Sequence, residues 1–119
     1  MFDSLEILRM AQAYATHAGT RQQTIAQNIA NADTPGYRAR DAIGFGDYFQ
    51  RLSESPGISA QRPAALTRVD ANPVSRAPDG NTVSVEHEMM RGAETRQQHE
   101  LALGIYSMAR DLLRSSIGK

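Results

Sequence analysis

The sequence contains no cysteine, which removes disulfides, thiolate catalysis and cysteine-held metals. It has no net charge, with 13 basic residues against 13 acidic ones, so the broad positive field that draws a chain onto nucleic acid or an anionic membrane is missing. It also lacks the run of about 18 apolar residues that a membrane-spanning helix needs. The opening "MFDSLEILRMAQ" carries acids where a secretory signal has a basic segment, so the chain reads as neither membrane-embedded nor cleaved. Tryptophan is absent, and the three Phe and four Tyr are not interleaved with a basic patch as a base-stacking surface requires. Proline is missing from the first 34 and the last 41 residues: Pro35, Pro56, Pro63, Pro73 and Pro78 all fall between.

That last absence organises the chain into an N-terminal helix over 1–34, an irregular middle over 35–82 and a C-terminal helix over 83–119. With 119 residues and 40% apolar content the chain can build one modest core. Twelve of the thirteen basic residues are arginine, a side chain suited to bidentate contacts.

The first helix is expected from about Ser4 to Ala32, with Asp3 as N-cap and Glu6 at the capping-box spacing. Leu8, Ala11, Ala15, Ala18, Ile25, Ile29 and Ala32 recur at helical spacing, a narrow and mostly alanine stripe interrupted at Gln22. Small residues let a partner helix approach closely but bury little area. The last helix is expected to start at Ser84, with Glu86 and Glu88 in its first turn at the positive end of the helix dipole. In its second half Leu101, Ile105, Met108 and Leu112 repeat at four, three and four, and this stripe is expected to face the seam of the first helix. The preceding "MMRGAETRQQHE" is nearly all polar and marginal by itself. The expected fold is therefore all-α: two long terminal helices packed as an antiparallel, coiled-coil-like pair.

Between them Ile43, Phe45, Tyr48, Phe49 and Leu52 form a small apolar cluster, read as one or two helical turns ending at "SESPG". Thr67-Arg68-Val69 and Thr82-Val83 can pair as a short hairpin around the Asp79-Gly80 turn, although Pro73 and Pro78 count against it.

No signature of catalysis stands out. His17, His87 and His99 lack metal-ligand spacing, and Glu86-His87-Glu88 reads as a solvated helix face, because adjacent helical residues point in different directions. "GFG" at 44–46 lacks the third glycine and the flanking elements of a dinucleotide loop and reads as a flexible turn. No enzyme, cofactor or metal is expected.

The most specific feature is "NIANADTPGYRARD", residues 28–41. Pro35 disfavours helix at Thr34, and Pro-Gly is the preferred centre of a type II turn with Gly36 at positive φ, so Thr34 to Tyr37 should reverse the chain. Asn28 and Asn31 share one helical face, where their amides can cap the last carbonyls or reach a neighbouring chain. This stretch closely resembles the signature N-[IL]-A-N-x-x-T-x-G-[YF] of flagellar basal-body rod and hook proteins. "ADTPGY" followed by "RARD" looks most like the proximal-rod type, and "DGNTV" at 79–83, ahead of the C-terminal helix, is similar to that family as well. The middle segment is where the chain departs most from the family.

The resemblance implies a structural subunit of the proximal rod that polymerises into the drive shaft of the motor. It implies export through the flagellar type III apparatus without a cleaved signal, and assembly in the periplasm. Implied partners are copies of itself, other rod proteins, the rod-base adaptor and the export gate. The assembly motif would be Asn28, Ile29, Asn31, Asp33, Thr34, Pro35, Gly36 and Tyr37, serving the turn and inter-subunit contacts. In this family the terminal helices are poorly ordered in the free subunit and pack as coiled coils in the assembly. The competing reading is a soluble helical-hairpin adaptor or regulator that binds one partner helix without polymerising.

Overall fold

Two long helices carry the architecture of the computed structural model, which describes residues 2–54 and 67–118. The order is α1 (Phe2–Ala30), β1 (Arg40–Ala42), α2 (Phe45–Glu54), β2 (Thr67–Val69) and α3 (Val85–Ile117). The molecule is 65 Å in its longest extent, and α1 and α3 run antiparallel along it. Their order is visible in the contacts: the side chain of His17 meets Gln98, while Arg21 lies by Glu94.

Helix α1 contains Asp3 in its first turn, so Asp3 is not its N-cap as the capping-box spacing suggested. Its carboxylate still sits at the positive end of the helix dipole. At the other end the ladder tightens. Asn31 N–H is shared between the carbonyls of Gln27 and Asn28, both at 3.1 Å, and Ala32 N–H reaches Ile29 at 3.1 Å, a 3₁₀-type closure. Helix α3 starts as its sequence indicates, with Ser84 extended at the N-cap and its hydroxyl accepting from His87 N–H at 3.3 Å.

The seam between the helices is made of small and polar residues at seven-residue spacing. Ala11, Ala18 and Ile25 are buried on α1, and Glu88, Thr95, Ala102 and Ala109 on α3. Leu8 and Ala15 are half-buried beside them. Of the expected α1 stripe, Ile29 is exposed and Ala32 lies beyond the end of the helix, which stops at Ala30. The α3 stripe departs further. Leu101, Met108 and Leu112 are 56%, 67% and 60% exposed, so these three do not form the seam with α1, whereas Ile105 is half-buried at its margin, lining a groove with Ala11 and Tyr14. The reason is steric: an alanine track opposite an alanine track lets two helices approach closely, whereas leucine and methionine there would hold them apart. The large side chains are turned outward, each forgoing on the order of 1 kcal/mol of burial.

A second small core forms where α2 lies on α1. Ala13, Ile43 and Tyr48 are buried with Phe45, Phe49 and Leu52 packed against them, the cluster expected from the sequence. Tyr14 meets Phe45 edge-on at 4.9 Å. "GFG" proves to be a helix start and not a flexible turn, since the Gly44 carbonyl accepts Tyr48 N–H at 3.0 Å and α2 begins at Phe45. The stop expected at Ser55-Pro56-Gly57 lies outside the described residues.

The two strands pair antiparallel with Arg40 opposite Val69, Asp41 opposite Arg68 and Ala42 opposite Thr67. Thr67–Val69 thus pairs with β1 and not with Thr82-Val83. Thr82 is committed elsewhere: its N–H donates to the Tyr37 carbonyl at 3.0 Å and its hydroxyl accepts from Ala39 N–H at 2.8 Å.

Candidate assembly corner

Where α1 ends, a type II turn sends the chain back. Tyr37 N–H closes onto the Thr34 carbonyl at 3.2 Å, and Gly36 has φ of 76°. A second glycine turn abuts it: Gly80 has φ of 87°, and a Cβ there would meet Gly36 Cα at 3.5 Å. Gly36 N–H donates to the Asp79 carbonyl at 3.0 Å. The two sequence motifs, 28–41 and 79–83, are therefore one structural unit.

Asn81 ties them. Its amide donates to the carbonyls of Asn31 at 2.9 Å and Thr34 at 2.8 Å, adding a second bond to acceptors already used by the turns that follow α1. Its side-chain oxygen accepts from Val83 N–H at 2.8 Å. The capping expected of Asn28 and Asn31 is thus shared. Asn31 donates to the Gln27 carbonyl at 2.8 Å and accepts from the Thr34 hydroxyl at 3.1 Å, while Asn81 serves the carbonyls of Asn31 and Thr34.

Asn28 does something else. It is fully buried, and its amide grips both backbone groups of Arg40, donating to the carbonyl at 2.7 Å and accepting from the N–H at 3.1 Å. The same oxygen accepts from the Tyr37 hydroxyl at 3.0 Å. It imitates a neighbouring strand, holding the returning chain against α1 and presenting β1 to β2. Asn28 therefore offers nothing to another subunit. Of the motif, the outer rim of Ile29, Asp33, Thr34, Pro35 and Gly36 is exposed, and Tyr37 is half-buried.

Charged groups close the corner from the α3 side. Arg91 reaches Asp70 at 3.2 Å, Glu88 at 3.4 Å and Asp41 at 3.9 Å, and Arg21 holds the other oxygen of Asp41 at 3.3 Å. Glu88 is 1% exposed, which corrects its reading as part of a solvated face. Burial pushes its carboxyl above the usual range; Asn28, Arg91 and His87 oppose that shift and Asp41 adds to it. Burial likewise raises the Tyr37 phenol, with Arg40 opposing and Glu88 adding.

Further along α1, His17 is a buried bracket. Its Nε2–H donates to the Ile43 carbonyl at 2.6 Å and its Nδ1 accepts from the Gln98 amide at 2.9 Å, which fixes the tautomer. Phe45 and Tyr48 flank the ring, each at 5.7 Å. One side chain thereby joins α1, α3 and the start of α2.

Sequence reasoning missed His17, Gln98, Glu88, Arg91 and the role of Asn81. The available signal was the seven-residue repeat Glu88, Thr95, Ala102, Ala109, visible once small and polar residues are admitted to a seam.

Ile29, Val85, Met89 and Met90 are exposed near the corner, and a larger apolar group lies further along the pair. Leu5, Ile7 and Met10 on α1 and Leu101, Leu103, Met108, Leu112 and Ile117 on α3 are exposed at the end of the pair remote from the corner. Between the helices and α2 runs a groove lined by Ile7, Met10, Ala11, Tyr14, Phe45 and Ile105. Among the described residues no group of three or more His, Asp or Glu could hold a metal ion. Nor is any described helix long and apolar enough to cross a membrane.

The comparisons with known proteins converge. The sequence model described as "Flagella basal body rod protein" matches residues 15–38, from mid-α1 through the type II turn. The flagellar basal body rod protein FlgB of Escherichia coli K12 is 32% identical over 126 aligned positions, covering 90% of this chain and 90% of that protein. FlgB of Agrobacterium fabrum is 30% identical over 109 positions, covering 82% and 81%. FlgB of Cereibacter sphaeroides is 39% identical over 95, covering 72% and 73%.

Proposed function

Because the chain belongs to the flagellar basal body rod proteins of the FlgB type, we propose that its outward apolar faces are the surfaces through which it polymerises. It is a structural subunit of the rod in the flagellar basal body. The observation carrying the proposal is the exposed stripe of Leu101, Met108 and Leu112 on α3, with Leu5, Ile7 and Met10 on α1 at the same end. Apolar side chains in register at coiled-coil spacing, left uncovered by their own partner helix, are complementary to helices of neighbouring subunits. A heterologous interface that does not close into a ring generates a helical tube.

On this reading the neighbours are copies of the chain, other rod proteins, the rod-base adaptor and the export gate. The subunit reaches the periplasm through the flagellar type III apparatus and acts without catalysis, as the proximal segment of the drive shaft. Torque then requires stiffness, supplied by many helix contacts in parallel. Deleting the gene in its host and imaging basal bodies tests the proposal. Rods truncated at the base and loss of swimming are expected; intact rods with normal swimming would overturn it.

A further inference from the structure

We propose that Glu88 is a proton-operated lock on the corner: with a proton on its carboxyl the junction of α1, β1 and α3 closes, and without one it loosens. The geometry is an imbalance of partners. Three carboxylates, Asp41, Asp70 and Glu88, meet two guanidinium groups, Arg21 and Arg91. Asp41 draws on both, and Asp70 makes the shortest contact with Arg91 at 3.2 Å. Glu88 is the most deeply buried of the three, with its side chain 1% exposed against 28% for Asp41 and 19% for Asp70. Its Oε1 has only a share of Arg91 at 3.4 Å, and its buried Oε2 has no partner at full hydrogen-bond distance among the described residues, the Asn28 amide, already committed to Arg40, giving the carboxyl only weak support.

A buried carboxylate with one oxygen unpaired is costly, and a proton taken from solvent removes the charge without moving an atom of the backbone. The groups facing Glu88 are few. From α3 come His87 and Arg91, from α1 Asn28, from the type II turn Tyr37, from β1 Asp41, and from beyond β2 Asp70 through Arg91. The cations and the Asn28 amide favour the ionised form, but burial outweighs them and Asp41 adds to burial. Since the carboxyl is raised in the closed state, the stabilisation is complete at pH values below the ordinary glutamate range. It is lost as pH rises through the raised value. Each unit of elevation corresponds to roughly a tenfold change in the ratio of closed to open corner.

Hydrogen exchange on the full chain at pH 5 and pH 8, corrected for intrinsic rates, tests the lock at the amides of Gly36, Arg40 and Thr82. Wild type is expected to lose protection on going to pH 8, by at most about tenfold for each unit by which the closed-state carboxyl lies above pH 5, while Glu88→Gln, which keeps the shape without the charge, holds steady. The variant also controls for every other change of charge between the two pH values. If Glu88→Gln does not fold, the carboxyl carbon of Glu88 in the wild-type chain, followed by NMR, is expected to titrate above the ordinary range. Equal pH dependence in both proteins, a Glu88 midpoint at its ordinary value, or corner amides unprotected at both pH values would overturn the proposal.

Discussion

The two halves of α3 invert the usual relation between polarity and burial. The first half, Val85 to Gln98, is mostly polar, yet it supplies the buried Glu88 and Thr95 and the bonds of Arg91 and Gln98 to the rest of the chain. The second half, from Leu101 to Ile117, is rich in large apolar residues, yet it turns five of them outward and fully buries only Ala102 and Ala109. Hydrophobic burial is non-directional, so it can join chains in many ways; hydrogen bonds with fixed geometry select one way. The subunit uses the directional interactions to define its own corner and leaves the non-directional ones for its neighbours.

The sharpest way to break that comparison is to charge the outward stripe. Met108→Glu combined with Leu112→Glu is expected to abolish swimming in soft agar, while leaving the unfolding free energy of the isolated chain within about 0.5 kcal/mol, as for exposed sites generally. Substantial unfolding of the isolated variant would show instead that the stripe supports the monomer. The reverse experiment removes a polar side chain from the corner. Asn28→Ala deprives the Arg40 backbone and the Tyr37 hydroxyl of buried partners and is expected to cost about 3 kcal/mol in denaturant unfolding. A cost under about 1 kcal/mol would mean that water replaces the amide and that the corner is not the ordered end. The smallest effect is expected at the turn. Gly36→Val forces a β-branched residue toward φ of 76° and should cost about 1–3 kcal/mol. There is open space for the new side chain, so the loss should come from the backbone alone. Gly36→Asn, tolerant of positive φ, should recover most of it; equal stability of the valine and asparagine variants would refute the type II assignment.

Local chemistry was legible in the sequence where it decides by itself. Pro35 and Gly36 specify the turn, Ser84 specifies the start of α3, and the run from Ile43 to Leu52 specifies a small apolar cluster. The alanine stripe of α1 was legible too, because small residues repeated at helical spacing have few other uses. What could not be read were choices that depend on a distant partner. Leu101, Met108 and Leu112 recur at helical spacing, and nothing within α3 says that α1 presents alanines too closely packed to receive them. Asn28 has the spacing of a capping residue, but its side chain is claimed by Arg40, twelve residues on. The partner of Thr67 likewise follows from that grip, since holding Arg40 against α1 exposes the edge to which β2 adds.

The abutting turns at Gly36 and Gly80 also say something about tolerance. The chain leaving α1 and the chain entering α3 are bonded to each other, Gly36 to Asp79 at 3.0 Å and Tyr37 to Thr82 at 3.0 Å. The segment between them, although held to the helices at Arg40, Ile43 and Asp70, thus begins and ends at one closed clasp. Doubling the length of such a loop costs only about 0.6 kcal/mol of closure entropy. A chain lengthened between α2 and β2 is therefore expected to leave the clasp, and the register of the helical pair below it, in place.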